Sequence, residues 1–173
     1  LEPTTKGSGG GPGQSGFAGG AGGGAVRLSV GGMLRLEGSI TARGANGLGS
    51  LSGGGSGGSI WLKTGLLVGS GSINADGGAG EPVEGGGGGG GRIALYAAQM
   101  ALDGSVRAQG GPGYANGGAG SIYSKTGEAR GELRYDNGAV PGASPLLDFG
   151  PFDLVIAHGS DVAWTGNGQV ASL

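Results

Sequence analysis

The repeat that decides the fold reads Gly38-Ser39-Ile40-Thr41-Ala42-Arg43-Gly44. It returns as Gly71-Ser72-Ile73-Asn74-Ala75-Asp76-Gly77 and again, at the same spacing, as Gly104-Ser105-Val106-Arg107-Ala108-Gln109-Gly110. Glycine, serine, an aliphatic residue and alanine keep their places, while the residues between them vary. Self-similarity at a fixed period, here about 33 residues, is typical of proteins built from stacked structural units.

A second apolar segment precedes each copy of this repeat. Its four members are Val26-Arg27-Leu28, Ile60-Trp61-Leu62, Ile93-Ala94-Leu95 and, after a shorter interval, Ile122-Tyr123-Ser124. Apolar residues alternate with other residues there, and this period of two predicts β-strands with one face in a core. A further apolar patch, Met33-Leu34-Arg35-Leu36 and its equivalents, gives each repeat up to three strand-like pieces.

One repeat cannot bury its apolar face alone, because its strands have no partners. Stacking the repeats in register pairs each strand in parallel with its counterpart and places Ile40, Ile73 and Val106 in one inward rank. The sequence therefore predicts an all-β fold, a parallel β-helix or solenoid with coils of about 33 residues.

Glycine-rich connectors separate these strands and cover residues 7–24, 44–58, 77–91 and 110–120. They are either flexible loops on one side of the solenoid or extended polyglycine strands packed in a hydrogen-bonded layer. Loops of this length in every coil would be unusual in a compact structure, which favours the ordered packing.

The composition excludes several other classes of protein. Glycine contributes 50 of 173 residues, against a usual share of roughly 7%. Collagen is excluded because the unbroken run Gly85–Gly91 and the apolar segments do not follow its three-residue period. Cysteine is absent and the net charge is −2, so disulfides, thiolate metal sites and the basic stripe of a nucleic-acid-binding protein are not expected. No apolar run is long enough to predict a membrane span.

The chain divides into three predicted parts. Residues 1–138 hold the glycine-rich β-helix repeats and begin in mid-repeat. Residues 139–151 contain Pro141, Pro145 and Pro151 and are predicted to form a linker. Residues 152–173 contain two short strand-like segments around His158-Gly159-Ser160, the second being Asp161-Val162-Ala163-Trp164, and are predicted to start a further β module or shorter coils.

The outward face of the second apolar segment carries the candidate binding residues. Arg27, Trp61, Ala94 and Tyr123 are predicted to form one cross-strand ladder, and Ser29, Lys63, Tyr96 and Lys125 the next. The proposed site consists of Trp61, Lys63, Tyr96, Tyr123 and Lys125. Aromatic rings beside cations on a flat sheet suit stacking on sugar rings. The alternative is that the rings stack on one another or pack against a neighbouring chain.

No catalytic residue, resident metal or cofactor is predicted. The G-x-S-x-G pattern around Ser56 lacks a strand-turn-helix context, and His158 is interpreted as an exposed turn residue. Asp76, Glu81 and Glu84 surround one connector, where a solvated loop is favoured over a single weak Ca²⁺ site. The carboxylates form no rank along the repeats of the kind that a polysaccharide lyase would need.

With its glycine runs, Ser-Ile-x-Leu strand and Gly-Ser-Ile-x-Ala strand, the chain resembles the glycine-rich β-helix repeats of very large secreted or surface-displayed proteins, mostly bacterial. The resemblance covers roughly residues 7–138. It implies a right-handed parallel β-helix and an extracellular stalk, adhesin or sheath-like role. The pectin-lyase-like enzymes share this architecture, so the fold alone does not decide the function. The connectors are also similar to the polyglycine-rich receptor-binding tips of phage tail fibres.

These observations predict a non-catalytic structural segment of an extracellular or cell-surface protein or fibre, in which the coils give rigidity, assembly or adhesion. The alternatives are a module that binds glycans or a receptor and, third, a polysaccharide-cleaving enzyme. The expected partners are other copies of the chain, flanking domains and surface glycans, with no nucleic acid and no membrane span.

Overall fold

The computed structural model describes residues 2–144 and 152–162. One short 3-10 turn, Gln14–Gly16, precedes the first strand. The strands are β1 (Ala25–Arg35), β2 (Ser39–Thr41), β3 (Ser59–Gly69), β4 (Ser72–Asn74), β5 (Arg92–Leu102), β6 (Ser105–Arg107), β7 (Ser121–Thr126), β8 (Gly131–Asp136), β9 (Gly142–Ser144), β10 (Phe152–Ala157) and β11 (Ser160–Val162).

The fold is a β-solenoid of about three coils, as the repeat predicts. A six-stranded sheet has the order β1-β3-β5-β7-β8-β10, and a three-stranded sheet has the order β2-β4-β6. The strands β1, β3, β5 and β7 pair in parallel, each with its counterpart one coil away. Ile40 pairs with Ile73, and Ile73 with Val106, which confirms the period that the repeat predicts.

The core lies between the two sheets and is made of the predicted inward ranks. Ile73 is fully buried, and Ile40 and Val106 pack against it from the coils on either side. An alanine follows directly after each of β2, β4 and β6, and all three are buried in the same core, namely Ala42, Ala75 and Ala108. The wide sheet adds a second rank of aliphatic side chains, namely Ile60, Leu62, Leu67, Ile93 and Leu95. Burial of this apolar surface is the main term that stabilises the stack.

The prediction of three separate strand-like pieces in each repeat is wrong. The patches at Leu34, Leu67 and Met100 are not separate strands, because β1, β3 and β5 each run through eleven residues without a break. A register shift falls between Val30 and Met33 of β1. Gly31 and Gly32 of β1 lie there opposite the single Gly65 of β3, so β1 carries one extra residue, a β-bulge of the kind that bends a strand without ending it.

The glycine-rich connectors are extended polyglycine strands packed in a hydrogen-bonded layer, and not flexible loops. The amides of residues 53–58 donate in turn to three different neighbouring segments, and this cycle repeats every three residues. The donor and acceptor pairs are Gly53 to Gly11, Gly54 to Gly86, Gly55 to Ala45, Ser56 to Ser8, Gly57 to Gly89 and Gly58 to Ala42. Three residues per turn is the period of the polyproline II helix, which has no internal hydrogen bonds and donates only to its neighbours. We call this arrangement the glycine lattice.

Close contact between strands explains why the lattice consists of glycine. A Cβ atom added at Gly57 would lie 1.9 Å from the carbonyl oxygen of Ala75, and one added at Gly58 would lie 1.8 Å from that of Gly24. At Gly86 and Gly89 the nearest atom to such a Cβ is 3.9 Å away, which is ordinary contact. The lattice therefore requires glycine at some positions of its three-residue cycle and admits side chains at others.

The parallel pairing of successive coils in the wide sheet ends at β7. A turn at Gly127, with a φ of 54°, reverses the chain, and β8 runs antiparallel to β7. Strand β10 then pairs in parallel with β8, and β11 pairs in parallel with β9. Strand β9 falls within the range predicted as a linker, and β10 and β11 fall within the range predicted as a further module or shorter coils. Pro145, Pro151, Ala163 and Trp164 of these predictions lie outside the described residues.

Buried Asn137 joins the long coils to this last part. Its side-chain oxygen accepts a hydrogen bond from the Gly110 amide (2.7 Å), and its side-chain nitrogen donates to the carbonyls of Gly117 (3.1 Å) and Val140 (2.7 Å). The whole residue is buried. Because a buried amide is costly unless its polar atoms are paired, these bonds fix the glycine lattice to the turn after β8.

Candidate functional site

The structure brings the five candidate residues onto one face of the wide sheet, which we call the aromatic face. The registers place Arg27, Trp61 and Tyr123 in one ladder, with Ala94 between the last two. Lys63, Tyr96 and Lys125 form the next ladder. Lys63 is exposed, and Tyr96, Tyr123 and Lys125 are half-buried.

The rings of the aromatic face contact one another across the strands. The Trp61 and Tyr96 ring centroids are 6.2 Å apart, and those of Tyr96 and Tyr123 are 5.5 Å apart, with tilted planes in both pairs. The guanidinium carbon of Arg27 lies 4.5 Å from the Trp61 centroid, a cation–π contact. These contacts form a continuous row across β1, β3, β5 and β7 and hold the coils together.

Trp61 is much less accessible than a residue on an outward face would be. Only 5% of its surface is exposed. Its indole nitrogen is buried and has no hydrogen-bond partner among the described residues. A ring in this position contributes packing to the sheet and offers little surface to a sugar.

An N-terminal arm, residues 2–6, lies along the aromatic face. The Glu2 carboxylate is 3.5 Å from the Arg27 guanidinium. The Ser59 hydroxyl donates to the Thr5 carbonyl at 2.6 Å, and the Arg92 guanidinium donates to the Thr5 hydroxyl. The arm therefore crosses three strands of the sheet.

A cavity of about 280 Å³ lies between this arm and the sheet. Its walls include Tyr123, Arg92 and Ser121 together with residues 2–5 of the arm. Burial raises the pKa of the neighbouring Tyr96 hydroxyl, and the nearby Tyr123 and Glu2 raise it further. Tyr96 is therefore a neutral donor and acceptor of hydrogen bonds at any physiological pH.

The carboxylates near the connector at 77–91 are held in separate places. Asp76 is buried and accepts hydrogen bonds from the Asn74 side chain (2.9 Å) and the Gln109 amide (2.7 Å), with the Arg107 guanidinium 3.1 Å away. Glu81 accepts the amides of Val83 and Glu84, and these bonds lower its pKa. Among the described residues, no three acidic or histidine side chains form a group that suits a metal ion.

Ser56 and His158, the two residues of the weak catalytic pattern, each contact other parts of the chain. The Ser56 hydroxyl contacts the backbone of Ser8, donating to its carbonyl at 3.2 Å and accepting from its amide at 2.7 Å. His158 is exposed in the turn between β10 and β11, with its Nδ1 atom 3.4 Å from an Asp136 carboxylate oxygen. The Ser56 hydroxyl thus holds a neighbouring backbone segment, and the His158 ring contacts a carboxylate.

Sequence reasoning missed the arm and Asn137. The arm residues have no counterpart in the repeat, and their contacts lie 54 and 87 residues away in the chain, so no periodic signal indicated them. A sequence signal for Asn137 exists in the Asn-Gly dipeptide at 137–138, which is typical of turns.

Comparison with protein-family models, curated proteins and solved structures finds no match for this chain. In the part of the chain that the structure describes, no helix has the length and apolar character of a membrane-spanning segment.

Proposed function

We propose that this chain is a non-catalytic structural segment of an extracellular or cell-surface protein or fibre, of the kind that the glycine-rich adhesin-like repeats form. The coils would serve as a stiff rod that carries load or displays other parts of the protein. Flanking domains and further copies of the chain are its expected partners.

The observation that carries this proposal is the glycine lattice. Its strands bond to the next coil as well as within their own coil, as the pairs Gly54 to Gly86 and Gly55 to Ala45 illustrate (both 2.9 Å). Each coil is thus tied to its neighbours on the connector side as well as through the two sheets. Because a solenoid with floppy connectors would bend more easily, ordering on this side supports a rod.

The test measures hydrogen exchange in the lattice and location in the source cell. We expect the amides of Gly54, Gly57 and Gly90 to exchange as slowly as those of β3 and β5. Antibodies against the chain should label intact cells, and protease added outside should remove the label. Connector amides that exchange at the rate of an unfolded peptide, or label found only after lysis, would contradict the proposal.

A second candidate is a module that binds glycans or a receptor through the aromatic face. The observation that favours it is the cavity beside Tyr123, where a half-buried ring lies next to Arg92 and Ser121. An aromatic wall with a few polar groups is a common form of small-ligand site. A glycan array should then give signal with the native chain and lose it in Tyr123→Ala. The control is Tyr114→Ala, since Tyr114 is exposed and does not line this cavity.

A further inference from the structure

A strand of this chain already occupies a groove on the outside of the glycine lattice. We call residues 7–11 the outer segment. It lies between the lattice strand at 20–23 and the one at 53–58, and it bonds to both of them. The donor and acceptor pairs are Gly7 to Gly23 (2.8 Å), Gly10 to Gly20 (2.8 Å), Gly53 to Gly11 (3.0 Å) and Ser56 to Ser8 (2.9 Å).

The next groove along the solenoid presents the same backbone polar groups, with Gly89 in the place of Ser56, whose hydroxyl also bonds to Ser8. By the repeat, Gly54 and Gly57 correspond to Gly20 and Gly23, and Gly86 and Gly89 correspond to Gly53 and Ser56. Within residues 2–144 and 152–162, no amide donates to the carbonyls of Gly54 and Gly57. In the same residues, the amides of Gly86 and Gly89 find no acceptor. The second groove therefore has two free backbone carbonyls and two free backbone amides among the described residues. Their equivalents in the preceding coil bond to the outer segment.

The first groove is filled by the outer segment, whereas the second is open. A Cβ added at Gly53 would lie 3.1 Å from the amide nitrogen of Gly11 in the outer segment. One added at the equivalent Gly86 would lie 3.9 Å from its nearest neighbour, an oxygen of Ala115 in the following coil. The open space continues into a cavity of about 650 Å³ whose lining includes Gly57, Gly89 and Tyr135.

We propose that this second groove binds an extended segment of another polypeptide chain, in the polyproline II conformation and with glycine at every third residue. Backbone groups of the groove would bond to it as they bond to the outer segment. Unpaired backbone donors and acceptors at a strand edge are the groups through which chains add to one another. The proposal concerns a surface that the rod function does not use.

The requirement for glycine follows from the outer segment itself. A Cβ added at Gly7 would lie 2.2 Å from the Ser56 carbonyl oxygen, and one at Gly10 would lie 2.1 Å from that of Gly53. Ser8 and Pro12 carry side chains at positions outside this three-residue series. Proline also favours the required φ and loses little conformational entropy on binding. The segment recognised in a partner is thus Gly-x-x-Gly, with proline allowed at one of the variable positions.

The experiment titrates the ¹⁵N-labelled chain with an unlabelled synthetic peptide of residues 6–13, Lys-Gly-Ser-Gly-Gly-Gly-Pro-Gly, and follows amide resonances by NMR. We expect saturable shifts and slower hydrogen exchange at Gly86 and Gly89, with the amides of Gly53 and Ser56 unchanged. A peptide with alanine in place of the first and third glycines of that sequence, equivalent to Gly7 and Gly10, should cause no saturable shift.

A variant of the protein tests the location of binding. Gly89→Leu places a side chain in the groove from a position whose Cβ has free space, so the fold is expected to persist. It should weaken the peptide by about tenfold or more. The matched control is Gly38→Leu, an open position at the corner before β2. Three results would each overturn the proposal. They are native-like binding of the peptide by Gly89→Leu, binding of the alanine peptide as tight as that of the original, and shifts confined to Gly53 and Ser56.

Discussion

Within the glycine lattice, the space for one methyl group separates positions that admit a side chain from positions that do not. Gly57 and Gly86 both belong to lattice strands, in neighbouring coils, but they face different neighbours. At Gly57 an added Cβ would lie 1.9 Å from a carbonyl oxygen, whereas at Gly86 the nearest atom would be 3.9 Å away. The two glycines therefore have opposite sensitivity to substitution, although no feature of composition distinguishes them.

Gly57→Ala is expected to destabilise the chain by roughly 2–4 kcal/mol, because backbone of two strands must move apart. Gly86→Ala is its matched control and should be neutral or stabilising by about 0.4–1 kcal/mol, because alanine restricts the unfolded chain. Chemical denaturation of both variants gives the two values. Equal losses of stability would mean that the lattice strands are not packed as described.

Ile73 is the most enclosed side chain of the inward rank, and its partners are Ile40 and Val106. Ile73→Asp would bury an unpaired carboxylate and should cost about 3 kcal/mol or more. Hydrogen exchange of β2, β4 and β6 should accelerate. The control Thr41→Asp adds the same charge at an exposed position of β2 and should leave exchange unchanged. Unaltered exchange in the Ile73 variant would show that this rank does not face the core.

At the scale of elements, the end of β8 depends on the charge of Asp136. Its carboxylate accepts a hydrogen bond from the Gly138 amide (2.9 Å) and contacts the side chains of Arg134 and His158. Partial burial raises the pKa of Asp136, but the bonds to Gly138, His158 and Arg134 outweigh burial, so that its pKa is below the usual value. The folded chain therefore holds this carboxylate in its charged form more strongly than the unfolded chain does.

The sign of the pH dependence follows from that lowered pKa. The stabilisation is complete above the unfolded pKa of about 4 and is lost as the pH falls through the lower folded pKa. Hydrogen exchange of β8 and β10 should therefore accelerate as the pH falls below about 4. Asp136→Asn should reduce this acid-dependent step while the exchange of β3 stays as in the native chain. A step of the same size in the variant would assign it to other groups.

The sequence predicted the strands and their registers because each coil repeats the same apolar pattern. Val26, Ile60, Ile93 and Ile122 lie opposite one another even though the last interval along the chain is shorter than the others. The division of β1, β3 and β5 into separate pieces was wrong, because glycine within a strand was read as a break. It bends the strand there, and cross-strand pairing continues through it.

The three-residue cycle of the connectors and the setting of Trp61 were harder to predict. The cycle is confined to short runs, so a search for glycine at every third position along the chain does not detect it. Its only sign in the sequence is the position of the residues that replace glycine within the runs, such as Ser56, Arg92 and Pro112. Trp61 contacts Arg27 and Tyr96, and Arg27 in turn pairs with Glu2 of the arm, which belongs to no repeat. Contacts between a repeat and a unique segment leave no periodic trace in a sequence.

For the molecule as a whole, the ends of the stack differ from its middle. Strand β1 stands at one end of the wide sheet, with Met33 59% exposed and Val26 and Leu28 only partly covered. The other end is formed by β10, which follows the antiparallel β7–β8 pair. Strand edges with unpaired backbone groups promote association of chains.

We therefore expect the chain to associate with other copies in a concentration-dependent way. Analytical ultracentrifugation over a wide concentration range, together with hydrogen exchange of β1, measures this. Protection of β1 should increase with concentration, because a neighbouring chain would pair with its edge. A monomer at all concentrations, with β1 already protected, would show that the chain covers its own edge.

The unequal space around lattice glycines also has a consequence for heredity. Every change in the first or second base of a glycine codon replaces glycine, so random mutation affects all lattice positions alike. Substitutions at positions such as Gly54, Gly57 and Gly58 bring a side chain against backbone and would be removed by selection. Those at positions such as Gly86 and Gly89 meet no backbone, so the fold itself would tolerate them. Populations that carry this gene should therefore accumulate variation in the connectors at every third codon, in step with the places where Ser56, Ser59 and Arg92 already stand.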